Sequence, residues 1–302
     1  MLFSKPKPKD WDIRTYLIAQ KARVETRLAQ LPITAGKPTI ALEAMNYALS
    51  MKGKRFRPLL TLATADIYQA SDKPEVLDAA VAIECIHTAS LLFDDLPCMD
   101  DATLRRGQKT AHLLYGEAQA VLAGMSLIAE ANLLLTGDAK GRKAQLARQL
   151  ECVSLLNASF SSDGLSGGQS DDLLNKTHLE MSEIEYIHAK KTGALFIATT
   201  EIAAVLCGAT ADERHRLRSF AKNLGLAFQI QDDLLDLVDS ETTGKDQGKD
   251  AGKTTFVNLM GTEKSTHLYN ELIEVALENL KPFGRAAHHL VELSRVIQSR
   301  KF

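Results

Sequence analysis

The sequence predicts an all-α protein with a single domain spanning residues 1–302. Apolar residues return every three or four positions over most of the chain, as they do across 217–228, and the alternation typical of strands is nearly absent. The chain has only 18 Gly and 8 Pro, so helix-breaking residues are few for its length. Neither a shift in composition nor a long polar linker divides it, which favours one domain.

The helix-breaking residues divide this periodic pattern into about ten helical segments. The breaks fall, in chain order, at 32–38, 53–58, 71–74, Pro97, Gly107, 137–141, 163–168, 208–212 and 244–253. Polar residues such as Glu130 and Glu201 interrupt the two most apolar stretches, 118–135 and 193–211. Neither stretch offers the roughly 18 uninterrupted apolar residues of a membrane span. Both are therefore expected to be buried helices, and no membrane span is predicted.

Charge and cysteine content exclude several classes of protein. The 36 Lys and Arg and the 38 Asp and Glu give a formal net charge of -2, whereas a protein that coats nucleic acid usually has a clear basic excess. The four cysteines lie far apart, unlike those of a zinc site or a disulfide scaffold. No apolar signal-peptide region follows the basic N-terminal residues. A cytoplasmic protein with free thiols and no nucleic-acid partner is expected.

Two clusters of carboxylates lie in apolar helical sequence, and the clearer one is Asp232-Asp233-Leu-Leu-Asp236. Like charges this close repel one another, and an apolar background makes them costly unless they share a cation. At 100° per residue, Asp232 and Asp236 lie on one helix face, which also carries Gln229 one turn earlier. Mg²⁺ usually takes one or two carboxylates together with substrate phosphates. The spacing therefore predicts a divalent-metal site.

The other cluster is Asp94-Asp95-Leu-Pro-Cys-Met-Asp100-Asp101. On an uninterrupted helix Asp94 and Asp101 would nearly coincide, whereas Asp94 and Asp100 would lie about 120° apart. Pro97 removes a helix hydrogen bond and disfavours the α conformation of the residue before it. The helix is therefore expected to end or bulge there and to swing one later carboxylate back. Asp100 and Asp101 both remain candidate ligands.

Basic residues follow both acidic clusters, at 105–106 and within 244–253. Cations beside metal-binding acids imply a polyanionic ligand between them, most simply a diphosphate. Lys54 and Arg57 offer a second phosphate site. The pair at 171–172 opens like the second cluster but lacks its last carboxylate, so taken alone it indicates a loop or helix cap.

Six sequence blocks in a fixed order carry a resemblance to a known family. They are GKRFRP at 53–58, ECIHTASLLFDDLPCMDDATLRRG at 84–107, GGQSDDL at 167–173, HAKKTGALF at 188–196, GLAFQIQDDLLD at 225–236 and GKDQGKDAGKTTFVNLMG at 244–261. Over essentially its whole length the chain resembles the trans-isoprenyl diphosphate synthases, which include the farnesyl and geranylgeranyl diphosphate synthases. The resemblance implies a bundle of about ten or more helices around a deep central cavity, with the two aspartate motifs on facing helices, and a homodimer.

The activity that the resemblance implies is a Mg²⁺-dependent condensation of isopentenyl diphosphate with an allylic diphosphate (dimethylallyl, geranyl or farnesyl). Three Mg²⁺ ions, for which Mn²⁺ can substitute, bridge the aspartates and the allylic diphosphate. The diphosphate leaves, the isopentenyl double bond attacks the allylic cation, and a proton is lost to the released diphosphate. No side chain is assigned as the general base.

The site residues implied by the resemblance fall into five groups, from which a catalytic subset is drawn. The metal ligands are Asp94, Asp95, Asp100 or Asp101, Asp232, Asp233 and Asp236. The residues on the allylic diphosphate are Arg105, Lys191 and Lys245, with the role of Lys253 left open. The residues on isopentenyl diphosphate are Gly53, Lys54, Arg57, His87 and Arg106. The residues facing the allylic cation are Thr192 and Gln229, and a further active-site pair is Gln169 and Asp172. The catalytic subset is Asp94, Asp95, Arg105, Lys191, Thr192, Gln229, Asp232 and Lys245.

Product length in this family depends largely on the residues four and five positions before the first motif, here Ser90 and Ala89. Farnesyl synthases of the bacterial type usually carry an aromatic residue at the position of Ala89. The small residues favour the C20 product, geranylgeranyl diphosphate, over the C15 product. A bulky side chain such as Phe93 or Met125 is the alternative that would close the cavity and leave C15.

Three other functions are disfavoured. A non-catalytic partner subunit of a prenyl synthase tends to lose aspartates, whereas both motifs are complete here. A terpene cyclase would lack the second phosphate site at Lys54 and Arg57. An acidic Ca²⁺-binding scaffold would leave the basic groups without a role, and the chain has no EF-hand pattern.

Overall fold

The chain is described by a computed structural model, which covers residues 12–31, 37–137, 143–174, 179–236 and 255–298. These residues form fourteen α-helices and one short two-stranded ribbon, so the all-α prediction is confirmed. The helices are α1 (Ile13–Leu28), α2 (Ile40–Ser50), α3 (Phe56–Asp66), α4 (Pro74–Asp94), α5 (Ala111–Tyr115), α6 (Glu117–Thr136), α7 (Lys143–Phe160), α8 (Leu165–Leu173), α9 (Met181–His188), α10 (Ala194–Cys207), α11 (Ala211–Asp236), α12 (Phe256–Met260), α13 (Thr262–Leu280) and α14 (His288–Gln298).

Three further segments connect these helices. A π-helical turn, Ala189–Gly193, joins α9 to α10, and a 3₁₀ segment, Lys281–Ala287, joins α13 to α14. The ribbon consists of β1 (Leu104–Arg105) and β2 (Gln108–Lys109), which pair antiparallel. The ribbon thus projects from the loop that follows α4.

The helix boundaries follow the local signals in the sequence. Asp12 and Thr39 cap α1 and α2 by accepting hydrogen bonds from backbone N–H groups of the first turn, and Pro74 opens α4. The breaks predicted in the described residues fall between helices or at a helix end. Several breaks were not predicted, and three of them contain a single glycine with positive φ: Gly116 before α6, Gly261 before α13 and Gly284 between α13 and α14.

Two hydrophobic clusters form the core. One joins residues of α1 to α7, and the other joins residues of α3, α9 and α11 to α14. Helix α10 contributes to both, with Leu195 and Ile202 in the first and Phe196 and Ala204 in the second. A helix that is apolar all round is typical of a protein core. The prediction of a buried helix at 193–211 is therefore confirmed, and the shared helix is consistent with the expected single domain.

Two of the described helices, α4 and α6, have the length and apolar composition of a membrane span, which is a weak signal because buried core helices give it too. Helix α4 is mostly buried. Helix α6 buries one face only and exposes Leu122, Met125 and Leu133 on the other. The sequence predicted a buried helix over 118–135, whereas the structure buries only one face of this helix.

Candidate active site

The first aspartate motif begins where α4 ends. Asp94 is the last residue of the helix, and the chain turns back after Pro97. The backbone N–H of Asp100 donates to the carbonyl oxygen of Asp94 at 2.9 Å, and that of Asp101 donates to Leu96 at 3.0 Å. The predicted swing of the chain after the proline is therefore present.

Of the two later carboxylates, the structure brings Asp100 close to Asp94. Burial raises the pKa of Asp94 to about 6, against the opposing charge of Lys191, and repulsion from Asp100 raises it more than the adjacent Asp95 does. Asp101 is exposed, and its backbone is left-handed, with φ 47°. Asp100 is thus the better placed of the two to complete the motif.

A comparison of Asp100→Asn with Asp101→Asn tests this assignment. We expect Asp100→Asn to lower kcat and to raise the Mg²⁺ concentration needed for half-maximal rate, because it removes a charge that faces Asp94. Asp101→Asn should have the smaller effect on both quantities, measured by steady-state kinetics over a Mg²⁺ titration. Equal losses in the two variants, or a larger loss for Asp101→Asn, would contradict the assignment.

The ribbon brings two arginines to the site. Arg105 on β1 donates through Nε to Oδ1 of Asp95 at 2.9 Å, and one of its terminal nitrogens bonds the same oxygen. Asp95 is buried, so this charged contact offsets part of the cost of its burial. Arg106 occupies the turn between the strands with φ 53°. Arg105 thus contacts the first aspartate motif, and the next residue, Arg106, belongs to the basic pocket described below.

The second aspartate motif lies at the end of α11, where a chain of hydrogen bonds leads to it. Thr192 Oγ1 donates to Gln229 Oε1 at 3.0 Å, and Gln229 Nε2 donates to Asp233 Oδ1 at 3.0 Å. The other oxygen of Asp233 accepts from the backbone N–H of Phe256 at 3.2 Å. Asp233 is therefore held by protein groups on both oxygens, whereas Asp232 is half-buried and its negative charge acts on Arg57.

Part of the predicted allylic site cannot be placed. Lys245 and Lys253 lie outside the described residues, and so does the side chain of Asp236. Their roles remain predictions from the sequence.

The π-helical turn places Lys191 between α8 and α4. Lys191 Nζ lies 2.7 Å from Asp172 Oδ2, and its charge lowers the pKa of Asp94 against the effect of burial. Gln169, one turn before Asp172 on α8, is buried, and its Oε1 has no hydrogen-bond partner in the described part of the chain. The predicted pair Gln169 and Asp172 is thus beside the first motif and Lys191.

A separate basic pocket lies between α3 and α4. The guanidinium of Arg57 lies 4.9 Å from the ring centroid of Phe196, and its Nη1 is 3.4 Å from His87 Nε2. Burial lowers the pKa of Arg57 to about 10. The pKa of His87 lies well below its usual value, mainly because the ring is buried and, to a smaller extent, because of the charges of Arg57 and Arg106. The imidazole is therefore neutral at pH 7. Half-buried cations arranged this way favour the binding of an anion.

Gly53 shapes the same pocket by leaving room for Arg106. A Cβ atom at position 53 would lie 2.6 Å from Arg106 Nη1, which also donates to the carbonyl oxygen of Met51 at 3.4 Å. Any larger residue would displace the guanidinium. The glycine of the GKRFRP block is therefore explained by this close approach.

Arg55 and Glu84, which the sequence analysis did not assign, hold this pocket in place. Arg55 is 4% exposed and Glu84 1% exposed, and Arg55 Nη1 lies 2.7 Å from Glu84 Oε1. Arg55 Nη2 donates to the carbonyl oxygens of Leu49 at 2.6 Å and Met51 at 3.1 Å, at the end of α2. The available signal was a glutamate in the apolar sequence of α4, since a buried charge needs a partner.

An apolar cavity of about 520 Å³ opens beside Asp94, between α4 and α8. Its lining residues are Ser90, Phe93, Asp94, Met99, Phe160, Leu165, Ser166, Gln169, Ser170, Leu173 and Leu174. Ala89 does not belong to this lining and is fully buried in the core. Met125 is 57% exposed on α6, so it does not close the cavity, whereas Phe93 lines it.

A partly buried acidic cluster beside an apolar cavity, with a basic pocket nearby, defines an enzyme class that handles anionic substrates with apolar tails. Residues 38–288 match the family model described as "Polyprenyl synthetase". The chain belongs to this family and is a short-chain trans-prenyl diphosphate synthase, a prenyltransferase.

Similar proteins span nearly the whole chain. Geranylgeranyl pyrophosphate synthase 11, chloroplastic, of Arabidopsis thaliana is 39% identical over 298 residues, which cover 96% of this chain and 83% of that protein. The structure of an FPP/GFPP synthase from Zymomonas mobilis has a TM-score of 0.84 and 36% identity, and covers 94% of this chain and 98% of its own. A geranyltransferase from Helicobacter pylori, solved with magnesium and isoprenyl diphosphate, has a TM-score of 0.81 and 30% identity over 98% of both chains.

Proposed function

We propose that this prenyltransferase extends an allylic diphosphate with isopentenyl diphosphate as far as geranylgeranyl diphosphate. The observation that carries the proposal is the apolar cavity of about 520 Å³ next to Asp94, with the small residue Ser90 in its wall. This volume lies within the range of about 300–1,000 Å³ that is usual for ligand sites. The name of the Arabidopsis relative supports the same product.

The acidic residues are proposed to hold Mg²⁺ together with the allylic diphosphate. No three His, Cys, Asp or Glu side chains in the described ranges are grouped closely enough to hold a metal ion by themselves. Mg²⁺ usually takes one or two carboxylates plus substrate phosphates, so the donor set fits an ion that the substrate helps to bind. The raised pKa of Asp94 shows that its charge is poorly compensated, which a cation would relieve.

Asp94, Asp95 and Asp100 would then hold metal on one side, and Asp232, Asp233 and Asp236 on the other. The proposed number of ions is three, with Mn²⁺ as a substitute. Bound Mg²⁺ neutralises charge on the departing diphosphate. The solved Helicobacter pylori protein, with magnesium and isoprenyl diphosphate, supports this use of metal.

The basic residues divide between the two substrates in this proposal. Lys191 and Arg105 lie beside the acidic motifs and stabilise the charge of the leaving diphosphate. Gly53, Lys54, Arg57, His87 and Arg106 form the isopentenyl diphosphate site. The two diphosphates bind at separate sites in this proposal. The double bond of isopentenyl diphosphate and the reacting carbon of the allylic substrate then lie next to each other.

Thr192, Gln229 and Gln169 are proposed to act on the allylic cation and on the cavity around it. Thr192 presents its hydroxyl oxygen near the reacting carbons, and the hydrogen bonds through Gln229 to Asp233 fix its orientation. Gln169 lines the cavity, and its buried amide oxygen has no hydrogen-bond partner among the described residues. The apolar walls exclude water, so the carbocation is attacked by the isopentenyl double bond and not by solvent.

Incubation of the pure protein with Mg²⁺, isopentenyl diphosphate and farnesyl diphosphate tests the proposal. We expect efficient formation of the C20 product, identified by mass and chain length. Extension of dimethylallyl and geranyl diphosphates without extension of farnesyl diphosphate would identify a farnesyl synthase, the alternative that the Phe93 ring in the cavity wall favours. No condensation from any starter would point to a non-catalytic partner subunit.

We also propose a homodimer that pairs through the exposed face of α6. Leu122, Met125 and Leu133 recur on one side of this helix, and Leu133 is 63% exposed. Contiguous apolar surface of this kind usually marks a protein interface.

Leu133→Lys is expected to convert the dimer into a monomer, because it places a charge in the apolar contact. The measurement is molar mass by light scattering at micromolar concentration. Ile18→Lys is the matched control, since Ile18 is as exposed as Leu133 but lies on α1, and it should leave the dimer intact. A monomeric wild-type protein, or a dimeric Leu133→Lys variant, would contradict the proposed interface.

The cytoplasmic location remains a prediction. All four cysteines are free thiols, which agrees with a reducing compartment. The name of the Arabidopsis relative places that protein in the chloroplast, which fits a reducing interior as well.

A further inference from the structure

We propose that Gly124 on α6 is a specificity-determining positioning residue, which sets product length through the ring of Phe93. The inference rests on the proposed function, because it concerns the cavity that receives the growing tail. Gly124 itself does not line the cavity, whereas Phe93 does.

The evidence is a close approach between the two residues. A Cβ atom at position 124 would lie 2.6 Å from Phe93 Cζ, 2.7 Å from Cε1 and 3.3 Å from Cε2. The tip of the ring therefore rests directly on the backbone of α6, in space that only glycine leaves open.

The position of the ring matters because Phe93 is the residue immediately before Asp94. Ser90, one turn earlier on α4, lines the same cavity. With its tip seated on Gly124, the Phe93 ring stands back toward α6 and leaves the space below Asp94 open. The ring is thus held as part of the wall and does not cross the cavity.

A methyl group at position 124 would push the Phe93 ring away from α6 and toward the cavity. The neighbours of Gly124 on α6, Ala120, Ala123 and Leu127, are fully buried in the core and leave no space there. The open volume beside the ring is the cavity. The ring would therefore move into the path of the tail and stop elongation earlier.

The test compares the product distributions of the wild type and Gly124→Ala with excess isopentenyl diphosphate. We expect the ratio of the longest wild-type product to the product one C5 unit shorter to fall about tenfold, as for a barrier change of about 1.4 kcal/mol. Adding Phe93→Leu to Gly124→Ala should restore the wild-type ratio, because the shorter side chain no longer crosses the cavity. Ser126→Ala, on the same helix but exposed, is the control and should leave the ratio unchanged.

Two outcomes would overturn the inference: an unchanged ratio in Gly124→Ala, or a lowered ratio that Phe93→Leu does not restore. Phe93→Leu alone provides a second measurement if Gly124→Ala does not fold, and it should increase the share of longer products; an unchanged share overturns the inference. A wild type that stops at C15 would contradict the proposed C20 product, but the Gly124→Ala shift toward C10 would still be measurable. A wild type that condenses nothing would overturn both.

Discussion

Asp94→Asn is expected to lower kcat by about 10³-fold while it stabilises the metal-free protein. In the proposed function this carboxylate helps to hold a cation beside the leaving diphosphate, and metal charge of this kind is worth several kcal/mol in the transition state. Steady-state kinetics at saturating substrates and Mg²⁺ measure the loss. An Asp94→Asn variant within tenfold of the wild type would contradict the proposed role of this carboxylate.

The gain in stability follows from the raised pKa of Asp94. Burial raises it from the usual 3.8 to about 6, so the folded protein binds the proton more tightly than the unfolded chain does. The ionised form therefore costs folding stability that grows as the pH rises from about 4 to 6 and remains constant above that range. Asparagine removes the charge, and the free energy of unfolding at pH 7.5 should rise by about 3 kcal/mol.

Thermal unfolding with a metal chelator, at pH 7.5 and at pH 4, measures this effect. The stabilisation should be present at pH 7.5 and much smaller at pH 4, where Asp94 is protonated in the folded state and partly protonated in the unfolded state. Asp171→Asn on α8 is the control for both experiments, since Asp171 is not among the predicted site residues. It should change neither kcat nor the pH dependence of unfolding.

Glu84→Gln is expected to destabilise the protein by about 3 kcal/mol and to raise KM for isopentenyl diphosphate. Removing one partner of a buried ion pair leaves the other charge buried without compensation. Arg55 would then lose its contact with α4, and with it the fixed position of the loop that carries Lys54 and leads to Arg57. KM for the allylic substrate should change much less, because its site is formed by other segments.

The chain offers a matched control for this variant. Glu25 also lies near Arg55, with 3.9 Å between the charged atoms, but its side chain is 45% exposed. Glu25→Gln should change the free energy of unfolding by less than about 1 kcal/mol, as exposed pairs do. Chemical denaturation and the two KM values are the measurements. A Glu84→Gln variant as stable as Glu25→Gln would show that the buried pair does not hold the loop.

Much of the fold could be predicted because long apolar helices and helix-breaking residues are local signals. The division into helices followed from Gly and Pro clusters, and the return of the chain after Pro97 followed from the geometry of proline. The choice between Asp100 and Asp101 could not be made, because it depends on hydrogen bonds across the turn. The exposed face of α6 was missed, because composition alone does not separate core from surface.

The site was predicted less completely than the fold. The sequence drew attention to residues whose chemistry is visible, such as Asp94 and Lys191. It did not reveal Arg55, whose role depends on the carbonyl oxygens of α2 and on a glutamate 29 residues away. It also pointed to Ala89 as a cavity residue, whereas the structure places Ala89 in the core and Ser90 in the wall, so a role for Ala89 in product length remains a prediction.

The π-helical turn at Ala189–Gly193 has a consequence for how this sequence can change over time. A π turn holds one more residue than an α turn, so the helix from Met181 to Cys207 carries the equivalent of one inserted residue. Loss of one residue there would rotate the two halves by about 100° relative to each other. The contact of Lys191 with Asp172 and the contact of Phe196 with Arg57 could then no longer form at the same time. Surface loops can vary in length, but this segment must keep its residue count.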